Sequence, residues 1–152
     1  EVPGVSLAAV ATEAARAAGR TIDTVPAVLA AEAQRIGVEP RLLDRSLNVD
    51  LSGGEKKRNE ILQLSVLAPR YAVLDEIDSG LDIDALALVA ARVKEATDQD
   101  DLGVLAITHF SRLLDVLKPD RVHVLGDGRI RVSGGPELVV RLEAEGYRDL
   151  VA

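Results

Sequence analysis

Residues 71–74 (Tyr71, Ala72, Val73, Leu74) and residues 103–107 (Gly103 through Ile107) are two short apolar runs that each end on polar groups. Asp75 and Glu76 close the first, and Thr108 and His109 close the second. Between them, from about Asp82 to Ala96, Leu86, Val89, Ala90 and Val93 recur at helical spacing. Uniformly apolar runs of this length are the pattern of strands buried in a parallel sheet. Strand–helix–strand alternation then requires a right-handed crossover and an α/β class. It also puts Asp75, Glu76 and His109 at the carboxyl edge of the sheet, where ligands gather in open α/β folds.

Upstream, the rhythm is helical. Pro3-Gly4 breaks the start, and Ser6 caps an Ala-rich segment running to Gly19. Thr24 precedes Pro26 in the first turn of a second helix, with Val25, Val28, Leu29 and Ile36 on one side and Gly37 as its stop. A short helix follows Pro40 through Leu43. Gly53-Gly54 open a longer helix, in which Ile61, Leu64, Ser65 and Ala68 share a face and Pro69 ends the run. Downstream, a short helix near 111–117 precedes a strand at 121–125. The turn Gly126-Asp127-Gly128 leads into a second strand at 129–132, which makes a hairpin, and a last helix lies near 137–145. The expected organisation is a helical subdomain, residues 1–69, followed by a parallel-sheet α/β core, residues 70–152, with a C-terminal hairpin and helix.

The 152 residues are enough for a domain with its own core. The net charge of −7 argues against a nucleic-acid groove, which needs a basic surface. The chain has no cysteine, so it forms no disulfide and lends no thiolate to a metal cluster. No apolar run approaches the roughly 20 residues of a membrane span, which argues against direct membrane insertion. The first residues lack the basic start and apolar core of a signal peptide, so a cytoplasmic location is the default expectation.

Three local patterns carry chemistry. In Leu51-Ser52-Gly53-Gly54-Glu55, two glycines start a helix at a cost in conformational entropy, and Lys56, Lys57 and Arg58 then oppose the helix dipole. A bound anion would resolve both conflicts, because backbone N–H groups, the Ser52 hydroxyl and the helix N-terminus all favour negative charge there. The same run also reads as a Ser-capped helix whose cations are solvated or paired, for example Lys56 with Glu60. At the end of the first strand, one acid suits Mg²⁺, which prefers oxygen ligands, and its neighbour suits an attacking water. The alternative there is a polar turn, with Ser79-Gly80-Leu81-Asp82 as a second turn that closes on an Asp N-cap. His109 can hydrogen-bond a terminal phosphate oxygen or serve structurally, while His123 falls at a structural strand position.

In this order the motifs resemble an ABC-type ATPase: residues 51–55 the family signature, residues 71–76 the Walker B strand with its glutamate, residues 79–82 the D-loop, and His109 the switch histidine. The runs Ser52-Gly53-Gly54-Glu55-Lys56-Lys57-Arg58-Asn59 and Asp75-Glu76-Ile77-Asp78-Ser79-Gly80-Leu81-Asp82 narrow this further. They are similar to the SufC-type ATPases of the Suf iron–sulfur cluster assembly system. The opening Val2-Pro3-Gly4-Val5-Ser6 and the closing Glu145-Gly146-Tyr147 agree with that group.

The resemblance implies ATP and Mg²⁺ as cofactors and a head-to-tail dimer with a second copy of the ATPase subunit. By position, Ser52, Gly53 and Gly54 grip the γ-phosphate of the nucleotide held by the opposite subunit, and Glu55 and Asp82 count with them among the ATP-binding residues. Asp75 serves the Mg²⁺ shell, Glu76 polarises the water, His109 contacts the γ-phosphate, and Asp82 lies at the interface. SufB- and SufD-like scaffold proteins are the implied partners.

No stretch matches the phosphate loop G-x-x-x-x-G-K-[ST], and no Gly-Lys pair occurs. By this resemblance the chain is the back half of a longer ATPase, inactive alone. Its parallel sheet is then left with open edges, so the isolated chain is expected to self-associate. The competing readings are an ATP-binding subunit of a membrane transporter and a non-catalytic docking module.

Overall fold

The local signals around Ser52 and Pro69 bound the central helix of the fold. Ser52 is the extended N-cap of α3 (Gly53–Leu67); Ala68 turns into the left-handed region and its N–H closes on the Leu64 carbonyl before Pro69 ends the run. The structure is a computed structural model that describes residues 2–109 and 111–146. These fall into two units divided between Thr108 and His109.

In the first unit, α1 (Leu7–Ala17) and α2 (Val25–Arg35) pack on α3 and on one another. Ser6 caps α1 by accepting the Ala9 N–H at 3.1 Å. Leu7, Ala11, Ala15, Leu29, Ala33 and Ile36 are buried along this packing. The buried face of α3 is Asn59, Ile61, Leu62 and Val66, whereas the sequence pattern points to Ile61, Leu64, Ser65 and Ala68. Two flanking layers pack against α3, so the face is set by tertiary contacts rather than by one apolar stripe. A 3₁₀ turn, Pro40–Leu42, follows α2.

Pro3-Gly4 does not simply break the chain. Val2–Ser6 forms β1, antiparallel to the short β2 (Ser46–Leu47), and the Gly4 N–H reaches the Ser46 hydroxyl at 3.0 Å. This pairing spans some forty residues, beyond the reach of a local pattern.

The strand–helix–strand unit is present as expected: β3 (Tyr71–Asp75), α4 (Ile83–Gln99) and β4 (Gly103–Ile107), with β3 and β4 parallel in register from Tyr71↔Gly103 to Asp75↔Ile107. The Tyr71 ring lies over Gly103, where a Cβ would sit 2.7 Å from the ring. Ala85, Val89, Ala90, Val93 and Ala96 turn inward from α4. The expectation of a buried β3 is corrected. Among the described residues the sheet has only these two strands, and Tyr71 (77% exposed), Val73 (67%) and Leu105 (58%) form an open apolar face.

Helices α2 and α4 are joined by charge. Arg92 Nε donates to Glu32 Oε2 at 2.6 Å, with both side chains 12% exposed, and Arg35 bridges Glu32 (3.1 Å) and Glu95. Burial alone pushes the Glu32 carboxyl up, but hydrogen bonds from Arg92 and Ser65 and the charges of Arg92 and Arg35 outweigh it. The net result is a value below the usual carboxylate range.

The second unit begins at His109 and continues with α5 (Ser111–Leu117). The antiparallel hairpin β5 (Val122–Gly126) and β6 (Arg129–Gly134) follows, and then α6 (Glu137–Glu145). Asp127 and Gly128 both have positive φ, which a tight two-residue hairpin turn demands. Val122 and Val124 pack on Leu138 and Val139, with Leu114, Val132 and Leu142 around them. His123 sits in β5 with Nδ1 2.8 Å from the Ser133 hydroxyl, the structural position expected of it.

Candidate nucleotide-phosphate site

The first turn of α3 is locked by a reciprocal capping box. Ser52 Oγ accepts the Glu55 N–H at 3.3 Å and donates to Glu55 Oε2 at 2.7 Å, while the Ser52 N–H donates to the same oxygen at 2.8 Å. The Ser52 hydroxyl, then the Ser52 N–H, hold the exposed Glu55 carboxyl below the usual carboxylate range. Ser52, read as a γ-phosphate ligand, and Glu55, read as an ATP-binding residue, are each other's partners in this structure. The cation opposite Glu60 is Lys57, at 3.1 Å, rather than Lys56. Lys57 Nζ also reaches the Asp75 carbonyl at 3.3 Å, which ties α3 to the end of β3.

Asp75 and Glu76 stand exposed where β3 ends. Glu76 takes a left-handed conformation (φ 47°) and its N–H binds the Ile107 carbonyl at 2.9 Å, so the ladder to β4 continues through a strained residue. A non-glycine residue held at positive φ costs on the order of 1–3 kcal/mol and persists only where surrounding bonds fix it. Here the Ser79 N–H closes on the Glu76 carbonyl at 3.1 Å and the Leu81 N–H on the Asp78 carbonyl at 3.3 Å. Asp82 ends the loop as the N-cap of α4, with Oδ1 accepting the Ala85 N–H at 2.7 Å.

The sequence does not mark Asp78 as a site member, and it marks Gly80 only as part of the 79–82 motif. Asp78 is 5% exposed; its Oδ2 accepts the Thr108 hydroxyl at 2.5 Å and its Oδ1 has no hydrogen-bond partner among the described residues. Gly80 (φ 76°) packs against the signature glycines: a Cβ on Gly54 would meet its carbonyl oxygen at 3.3 Å. Nothing in the local sequence signals that burial or that close approach, because both are set by chain segments far apart.

The first unit thus brings Ser52, Gly53, Gly54 and Glu55 against the loop that carries Asp75, Glu76 and Asp82. His109 follows Thr108 directly, is exposed, and opens the second unit. Among the described residues no group of three His, Cys, Asp or Glu side chains forms a metal cage. Exposed carboxylate oxygens at a strand end nevertheless match the donor chemistry of Mg²⁺, which keeps most of its waters and takes phosphate oxygens.

A probable ABC transporter ATP-binding protein of Streptococcus pyogenes is 55% identical over 112 residues, 74% of this chain and 43% of the relative. A probable ATP-dependent transporter of Synechocystis is 53% identical over the same share of each. A Bacillus subtilis protein named vegetative protein 296 is 54% identical over 110 residues. Among solved structures, an ATP-binding subunit of an ABC transporter superposes on the whole chain with a TM-score of 0.78 at 22% identity. The fold is part of an ABC ATPase nucleotide-binding cassette. A dimeric bacterial ABC transporter cassette matches 89% of the chain with a TM-score of 0.75. The chain is thus similar in sequence to these ATP-binding proteins and shares the ABC cassette fold, and it spans less than half the length of the curated relatives it matches. No protein-family model matches it.

Proposed function

We propose that the chain is the signature-bearing part of a SufC-like ABC-type ATPase, which couples ATP binding and hydrolysis to iron–sulfur cluster assembly on a scaffold in the cytoplasm. Residues 1–69 act as its helical subdomain and residues 70–152 as the second half of its ATP-binding core. The observation that carries the ATPase reading is the meeting of two motifs. The turn holding Glu76 in a strained conformation at the end of β3 lies against the signature glycines of α3.

In this reading Ser52, Gly53 and Gly54 take the γ-phosphate of a nucleotide bound to the opposite subunit of a head-to-tail dimer. The capping box sets the pose of the Ser52 hydroxyl, with Glu55 as its local partner. Glu76 accepts a proton from the attacking water and orients it. His109 hydrogen-bonds the γ-phosphate, and Asp82 lies at the subunit interface. Asp75 faces the Mg²⁺ shell, and that ion, when bound, neutralises charge on the phosphate oxygens. With no phosphate loop in the sequence, the chain alone turns over no ATP.

The Suf assignment rests on the runs at 52–59 and 75–82 and on the absence of cysteine, which leaves cluster ligation to a partner. The names of the relatives favour a second reading, an ATP-binding subunit of a transporter. Affinity purification of the full-length protein from its own cells separates the two. Recovery of cysteine-bearing, cluster-binding scaffold proteins supports the first reading, and recovery of a membrane permease overturns it.

A further inference from the structure

The signature glycines have a second neighbour besides any phosphate. Gly80 lies with its Cα side toward Gly53 and Gly54: a Cβ there would sit 3.9 Å from the Gly53 carbonyl carbon and 4.0 Å from the Gly54 nitrogen. In the other direction, a Cβ on Gly54 would lie 3.3 Å from the Gly80 oxygen and 3.7 Å from Leu81 Cδ2. The first of these is closer than such contacts ordinarily come, so the loop carbonyl would have to give by a few tenths of an ångström. Gly53 differs, because a Cβ on it meets nothing within 4 Å. Of the two signature glycines, Gly54 is therefore the one at which an added Cβ would meet its own chain.

Gly80 holds a φ of 76°, open to glycine and strained for other residues. It sits inside the bonded turn whose N–H groups at Ser79 and Leu81 close on Glu76 and Asp78. A shift of the Gly80 carbonyl is therefore passed to Glu76 through bonds rather than through a flexible tether.

We propose that Gly80 is a positioning residue whose backbone, packed beside the Gly53–Gly54 peptide, sets the Glu76 turn against the N-terminus of α3, so that the γ-phosphate ligands and the water-orienting carboxylate of one chain move as one piece. This rests on the ATPase reading above. It gives Gly54 a task separate from admitting a phosphate. Loss of phosphate approach weakens nucleotide binding, whereas loss of the Gly54–Gly80 contact displaces Glu76.

The test uses the full-length protein with Gly54→Ala, Gly53→Ala, Gly80→Ala and the double variant Gly54→Ala/Gly80→Ala. Amide hydrogen exchange at Glu76, Ser79 and Leu81 is expected to rise about tenfold in Gly54→Ala and to stay at the wild-type rate in Gly53→Ala. In steady-state hydrolysis, Gly54→Ala is expected to lower kcat about tenfold with KM for ATP within about twofold, the signature of a displaced catalytic group. The double variant should lose less than the product of the two single losses, because both act on one contact. Unchanged exchange in Gly54→Ala, a rise in KM with kcat intact, or strictly multiplicative losses would each overturn the proposal. A wild-type protein without ATP turnover would instead remove the ATPase reading, and the exchange rates would still decide the contact.

Discussion

Replacing Glu32 by Ala tests how α2 is held to α4. The substitution removes the carboxylate that lies 2.6 Å from Arg92, a guanidinium whose side chain is 12% exposed, and one of the two carboxylates that meet Arg35 among the described residues. Breaking one side of a buried ion pair costs about 3–5 kcal/mol, mostly because the surviving charge stays desolvated. The exposed Arg35 contact adds no more than about 1 kcal/mol. Because Glu32 and Arg92 keep a little access to water, the low end applies, and a loss of about 3 kcal/mol is expected. That is more than a hundredfold in the folding equilibrium.

The double variant Glu32→Leu/Arg92→Met should recover most of the loss, since a well-packed apolar pair matches a buried ion pair. The assay is urea unfolding of the full-length protein, with the coupling read from the double-mutant cycle. The pH dependence has a fixed sign. The folded Glu32 carboxyl lies below its unfolded value, so its contribution is complete above about pH 4.3 and disappears as pH falls through the folded value. Wild type should therefore lose more stability than Glu32→Gln between about pH 5 and pH 3. A single-variant loss below about 1 kcal/mol, or a double variant as unstable as Glu32→Ala, refutes the reasoning.

Thr108→Val deletes the donor to Asp78 Oδ2 and leaves both oxygens of a buried carboxylate unsatisfied, because Oδ1 has no partner among the described residues. The expected cost is about 2–3 kcal/mol in the same unfolding assay, and Thr108→Ser should restore most of it. The apolar face of Tyr71, Val73, Leu105 and Ile107 should make the isolated 152-residue chain self-associate in sedimentation velocity at micromolar concentration. Val73→Lys/Leu105→Glu should shift it toward monomer, and a cooperatively melting wild-type monomer would contradict this.

Much of the fold was legible because its signals are local. Ser6, Ser52 and Asp82 are N-caps, and each accepts the backbone N–H three residues on. The β3–α4–β4 unit follows from two apolar runs around a periodic helix, and the Asp127-Gly128 turn from residues that accept positive φ. What the sequence did not disclose depends on segments distant in the chain. Pro3-Gly4 reads as a breaker until Ser46 supplies a strand partner for β1. Tyr71 and Val73 read as buried because apolar runs ordinarily find two covered faces, and here one face of a two-stranded sheet is open. At the candidate site, the motif residues were named from the sequence alone. The strained Glu76, the buried Asp78 and the Gly54–Gly80 contact needed the folded chain, since conformation and burial at those positions are imposed by β4 and α3.

The central claim is that Glu76 handles the water that attacks the γ-phosphate. Its most direct test is steady-state ATP hydrolysis by the full-length protein against Glu76→Gln, with nucleotide binding measured in parallel. The expected result is a fall in kcat of about a hundredfold or more, with ATP affinity retained, because the amide keeps the shape of the side chain and loses the base. Equal turnover in the two proteins would contradict the account.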